Sequence, residues 1–105
     1  MVSVPQQGEI WWAEAEDKRR PVLVVTRNEA IPVLSSIIVA PVTRTIRNIP
    51  TEIALGPQHG LSTACAARFD NIQPIRRASL TTRVGRLGID ELDEICRAIR
   101  ALTDC

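Results

Sequence analysis

Apolar residues in this chain fall into short blocks separated by polar turns, and only the last block repeats at a helical interval. Gly8 to Ala15, with Ile10-Trp11-Trp12 at its centre, reads as a first strand opened by glycine. Glu16 to Arg19 is a charged turn. Arg20-Pro21-Val22-Leu23-Val24-Val25-Thr26 predicts a second strand, with Pro21 at its start, where a missing N–H costs least. Asn28 to Pro32 breaks that run, and Ser36 to Thr43 predicts a third strand. Arg44 to Asn48 is a mostly polar loop, and Thr51 to Leu55 a short fourth strand. Gly56 to Gly60 is a turn cluster in which His59 is expected at the surface. Further short strands are predicted over Ser62 to Phe69, Ile72 to Ile75 and Val84 to Leu87. Beyond them Ile89, Leu92, Ile95, Cys96, Ile99 and Leu102 mark one face of an amphipathic helix of about four turns. Acids crowd its first turns and Arg97 and Arg100 come later, the order the helix dipole favours.

Short strands closed by a single helix predict a mainly β, α+β fold: a small, strongly curved antiparallel sheet or barrel. At 105 residues the chain is expected to form one domain over 1–105. No apolar run approaches the ~20 residues of a membrane span, and the first residues lack the pattern of a secretory signal. Cys65, Cys96 and Cys105 have no metal-like spacing and read as small hydrophobes in a reducing, cytoplasmic setting. No cofactor or metal is expected, since the lone histidine, His59, has no companion at ligand spacing. Trp11 and Trp12, adjacent on a strand, must point to opposite faces.

The distribution of charge is more informative than composition. The net charge is +1, yet the stretch from Thr43 to Arg86 holds seven arginines against Glu52 and Asp70. Arginine at this density suits bidentate contact with phosphate, and it equally suits an ordinary solvated edge. Two strand ends favour the first reading. If the second and third strands lie side by side, Arg20 and Thr43 face a common groove. A guanidinium beside a hydroxyl is suited to a phosphodiester.

The ordered set Gly8-Glu9-Ile10-Trp11-Trp12, Lys18-Arg19-Arg20-Pro21-Val22-Leu23-Val24-Val25 and Val39-Ala40-Pro41-Val42-Thr43-Arg44-Thr45 resembles the MazF/PemK toxin family. Pro50 to Leu55, Phe69-Asp70-Asn71-Ile72 and Arg83 to Leu87 continue the resemblance over nearly the whole chain. It implies an SH3-like barrel with a C-terminal helix, working as a homodimer. It also implies a metal-independent endoribonuclease that cuts single-stranded RNA at short sequences, held inactive by a cognate antitoxin whose disordered tail fills the RNA groove. The family's catalytic arginine falls on Arg20 and its catalytic threonine on Thr43. Arg19, Arg44, Arg47, Arg68 and Asn71 are the candidate RNA contacts. The Glu14 to Arg19 loop is shorter than in many relatives, and Arg44 stands where a smaller or uncharged residue is common. The competing function is that of a non-enzymatic toxin of the same fold, which binds a protein such as DNA gyrase. The chain's Arg-Pro and Pro-x-Thr pair argues against it.

Overall fold

The computed structural model describes residues 4–15 and 17–103, so Cys105 lies outside the described residues. Among the described residues seven strands, β1 (Glu9–Ala15), β2 (Lys18–Val24), β3 (Ser36–Thr43), β4 (Glu52–Leu55), β5 (Cys65–Arg68), β6 (Gln73–Arg76) and β7 (Leu80–Arg86), precede helix α1 (Asp93–Thr103). Every ladder is antiparallel. The path runs β4-β5-β3-β2-β1-β7, with β6 added beside β3. Strands β4 and β7 end that path, so the sheet curls as a half-barrel with the helix packed on it.

Alternation along the strands feeds two apolar clusters, one on each face. Ile10, Leu23, Ala40, Ile53, Ala67 and Phe69 build the larger, which α1 closes with Ile95 and Ala98. Trp11, Val22, Val24, Ile37 and Val39 build the other. The tryptophans separate as alternation requires: Trp11 is buried and Trp12 half-buried.

Pro21 does not open its strand. β2 starts at Lys18, and Pro21 pairs with Trp12 of β1 in the middle of it. The proline is tolerated because its ring nitrogen faces the other edge, and there it has a consequence. Val25 N–H donates to the Ile38 carbonyl at 2.9 Å, which makes residues 25, 23 and 21 the ones that point their N–H groups toward β3. Pro21 has none to give, and the β2–β3 ladder ends at Val22↔Pro41.

The C-terminal segment also departs from its periodicity. Ile89–Glu91 forms a 3-10 turn before the α-helix, which is therefore about three turns long, and Ile89 is 82% exposed. The turn is stabilised by Glu91, whose carboxylate accepts the Gly88 N–H at 2.9 Å. Cys96 faces solvent, and Ala98 takes the buried place on the helix.

His59 is buried, against expectation, and fully partnered. Its Nδ1 accepts the Gly56 N–H at 3.2 Å, and its Nε2 lies 3.1 Å from both oxygens of Glu91. Gly60 (φ 92°) and Gly85 let the turn lie against β7; a Cβ on Gly85 would collide with the His59 carbonyl. The Gly88 N–H, and after it His59, hold the Glu91 carboxyl below its ordinary value of 4.5.

Two expectations follow for stability. Ile95→Ala, at a fully packed helix position, should cost about 2–5 kcal/mol in urea unfolding, while Ile89→Ala stays within about 0.5 kcal/mol of the parent. Because the folded state lowers the Glu91 pKa, its contribution is complete above pH 4.5 and is lost as pH falls through the folded value. Acid titration of stability should therefore show a shallower fall below pH 4.5 in Glu91→Gln than in the parent.

Candidate active site

The end of the β2–β3 ladder is where the candidate chemistry collects. The pairs Val24↔Val39, Leu23↔Ala40 and Val22↔Pro41 set a register that, carried two residues further, brings Arg20 level with Thr43. Val22, Val24, Ile37 and Val39 share one buried cluster, so alternation puts Arg20 and Thr43 on that same face. Beyond Pro41, β3 continues against β5 through Val42↔Ala67 and Thr43↔Ala66, while residues 18–21 of β2 remain paired with β1. The two strands thus form the arms of a fork, with Arg20 on one and Thr43 on the other.

Both groups are free to act outward. Arg20 is exposed, and its guanidinium has no hydrogen-bond or ion-pair partner among the described residues. Thr43 is half-buried, and its Oγ1 accepts the Thr45 N–H at 3.1 Å. That bond uses a lone pair and leaves the hydroxyl proton available to an incoming oxygen.

The remaining candidates are not all brought to this face. Arg68 is: Ala66 pairs with Thr43, so Arg68 is its diagonal neighbour on the same side of β5. Diagonal partners lie about 7–8 Å apart, within reach of a long side chain. Its side chain is 18% exposed and its Nε lies 3.9 Å from Glu52. Arg44 and Arg47 are exposed on the loop that leaves Thr43, beside the partly exposed Ile46 and Ile49. Asn71 is exposed at the end of the 3-10 turn Phe69–Asn71 that follows β5, where Asp70 accepts the Thr51 hydroxyl at 2.6 Å.

Arg19 goes elsewhere. It alternates to the opposite face from Arg20 and stacks on Trp12, its guanidinium carbon 4.4 Å from the ring centroid. β1 and β2 pair as far as Ala15↔Lys18, and Asp17 has φ 65°, so the connection between the strands is short.

Sequence reading passed over Glu52, which it counted only as an isolated acid among arginines. The side chain is buried, and one oxygen accepts the Arg47 N–H at 3.0 Å. The apolar pattern carries no signal for this, because Glu52 occupies the same strand face as the exposed Ala54.

Comparison with known proteins gives a consistent result. Residues 6–103 match the family described as PemK-like, MazF-like toxin of type II toxin-antitoxin system. The chain is 39% identical over 107 residues to a protein called probable endoribonuclease MazF5 from Mycobacterium tuberculosis, with 100% of this chain and 98% of the relative covered. The structure is similar to that of the Mycobacterium tuberculosis toxin MazF-mt6, with TM-score 0.84, 33% identity, and 91% of this chain and 96% of that one covered. It shares its fold with a mycobacterial endoribonuclease solved in complex with its cognate antitoxin, at TM-score 0.81 and 23% identity, over 94% of each chain.

Proposed function

This chain belongs to the PemK-like, MazF-like toxin family of type II toxin–antitoxin systems, and on that footing we propose that it is a cytoplasmic endoribonuclease acting on single-stranded RNA. The observation that carries the assignment of roles is the fork itself. Arg20 and Thr43 are level with each other on one face, where no strand pairing fills the space between them.

The reaction is internal transesterification, without metal. The ribose 2′-oxygen attacks the adjacent phosphorus, the bond to the 5′-oxygen breaks, and the products are a 2′,3′-cyclic phosphate and a 5′-hydroxyl end. The attacking hydroxyl loses a proton and the leaving oxygen gains one, so the step consumes none overall. The protein's task is to hold the chain in line and to stabilise the added charge on the phosphorane. Arg20 supplies the fixed positive charge. A guanidinium holds its proton too tightly to be a ready general acid, so its role is electrostatic stabilisation rather than proton transfer. Thr43 donates its hydroxyl proton to a non-bridging oxygen. Arg44, Arg47 and Arg68 follow the backbone on the β5 side of the fork, and Asn71 contacts a base. Arg19, stacked on Trp12 on the opposite face, takes no part in this groove.

The cognate antitoxin is the natural competitor for this groove, since a segment bearing carboxylates matches the same arginines. The active form is a homodimer, which covers apolar surface that so small a domain leaves open, such as Val33 at 79% exposure.

Arg20→Ala and Thr43→Ala should each lower the rate of RNA cleavage by roughly 10²–10³ without loss of fold, the usual effect of removing one charge-stabilising donor. Labelled-RNA cleavage by the purified proteins, with and without EDTA, reads this directly, and full activity in Arg20→Ala would overturn the assignment. Light scattering at micromolar concentration should give the mass of a dimer; a monomer mass would refute that part.

A further inference from the structure

Three buried polar or charged side chains stand out among the described residues: Glu9, Glu52 and His59. Glu9 is well served, accepting from the Gln6 N–H, the Trp11 indole and Arg83. His59 is likewise partnered at both ring nitrogens. Glu52 is not. Its Oε1 takes the Arg47 N–H, but its Oε2 is buried with no hydrogen-bond partner among the described residues. The nearest cation, Arg68 Nε, is 3.9 Å away, beyond hydrogen-bond range, and Arg68 Nε and Nη2 are themselves buried and unpartnered. A charge pair kept for stability would close up, because buried charges left half-satisfied cost more than an apolar pair of the same size.

The location explains the arrangement better than stability does. Glu52 and Arg68 are cross-strand partners on β4 and β5, and Arg68 is diagonal to Thr43. The backbone beneath the acid is tied to the helix, since Arg97 donates to the Pro50 carbonyl at 2.7 Å and to the Glu52 carbonyl at 3.0 Å. One carboxylate on this anchored base therefore reaches both sides of Thr43's surroundings. One oxygen holds the backbone of the arginine loop that follows Thr43, and the other faces the guanidinium that lies diagonal to it.

We propose that Glu52 is a positioning residue for the cleavage site: it sets the Arg44–Ile49 loop and the Arg68 side chain relative to Thr43 without touching the substrate. This rests on the ribonuclease reading above. Its role is geometric, so removing its charge disturbs catalysis more than binding. Glu52→Gln keeps an oxygen for the Arg47 N–H but withdraws the charge that faces Arg68. It also makes the groove one charge more positive, which by itself favours RNA.

The test combines kinetics with a readout that needs no RNA. Glu52→Gln should melt close to the parent and bind an RNA carrying a 2′-deoxy sugar at the cleavage position at least as tightly. Its kcat should nevertheless fall at least about tenfold, the scale on which small misplacements act. In the free protein, NMR should show a shifted Arg68 Nε–H signal in Glu52→Gln and, in Glu52→Ala, lost exchange protection at the Arg47 amide as well. A kcat within threefold of the parent, or losses of kcat, affinity and melting temperature in step, would overturn the proposal. Unchanged signals at Arg47 and Arg68 in both variants would do so even if the RNA results agreed. If both signals respond while Arg20→Ala still cleaves RNA at the parent rate, Glu52 stands as the organiser of the loop and the catalytic assignment falls instead.

Discussion

Pro21 lacks the N–H that would carry the β2–β3 ladder one step beyond Leu23↔Ala40 in the series of hydrogen-bonded pairs, and the candidate active site depends on that missing donor. With a donor there, β2 and β3 would remain zipped through Arg20 and Thr43, and backbone pairing would occupy the space between them. Without it the last paired position is Val22↔Pro41, and β3 finishes its course against β5 alone. The strand stays in place because β1 pairs its residues 18–23 and supplies the hydrogen bonds that β3 does not.

The two cores make this opening affordable. Residues just inside the fork, Val22, Leu23, Val39 and Ala40, are buried on one face or the other, so the ladder is well supported up to the point where it stops. Each buried aliphatic side chain contributes about 1.5–3 kcal/mol, which offsets the few backbone groups left to solvent at the arms. Helix α1 contributes at a distance: besides closing the larger core with Ile95 and Ala98, it uses Arg97 to hold the carbonyls of Pro50 and Glu52. The base of the arginine loop is therefore attached to the most regular element in the chain, and positioning at Thr43 is linked to the packing of the C-terminus.

Charge is distributed with the same economy. Arg20 is left unpaired at the mouth of the fork, while Arg83 and Arg97 are engaged in structural contacts with Glu9 and Glu94. The chain's arginines thus resolve into two populations. Only the tertiary environment separates those that tie the fold together from those that remain available to an anion.

Much of this was legible in the residues themselves. The strand blocks, the Arg-Pro and Pro-x-Thr ends of β2 and β3, the opposed tryptophans and the closing helix follow from local pattern, because alternation and helical period act over a few residues. The bounds of β3 appear in the sequence as they do in the fold. What pattern could not supply was register. That Arg20 is level with Thr43, that Arg19 turns away to stack on Trp12, and that Arg68 is diagonal to Thr43 are decided by pairings between segments distant in the chain. The burial of His59 and Glu52 was hidden for the same reason. Polar residues read as surface until a remote partner satisfies them, and those partners, Glu91 for one and the Arg47 backbone for the other, are brought close only by the completed sheet and helix.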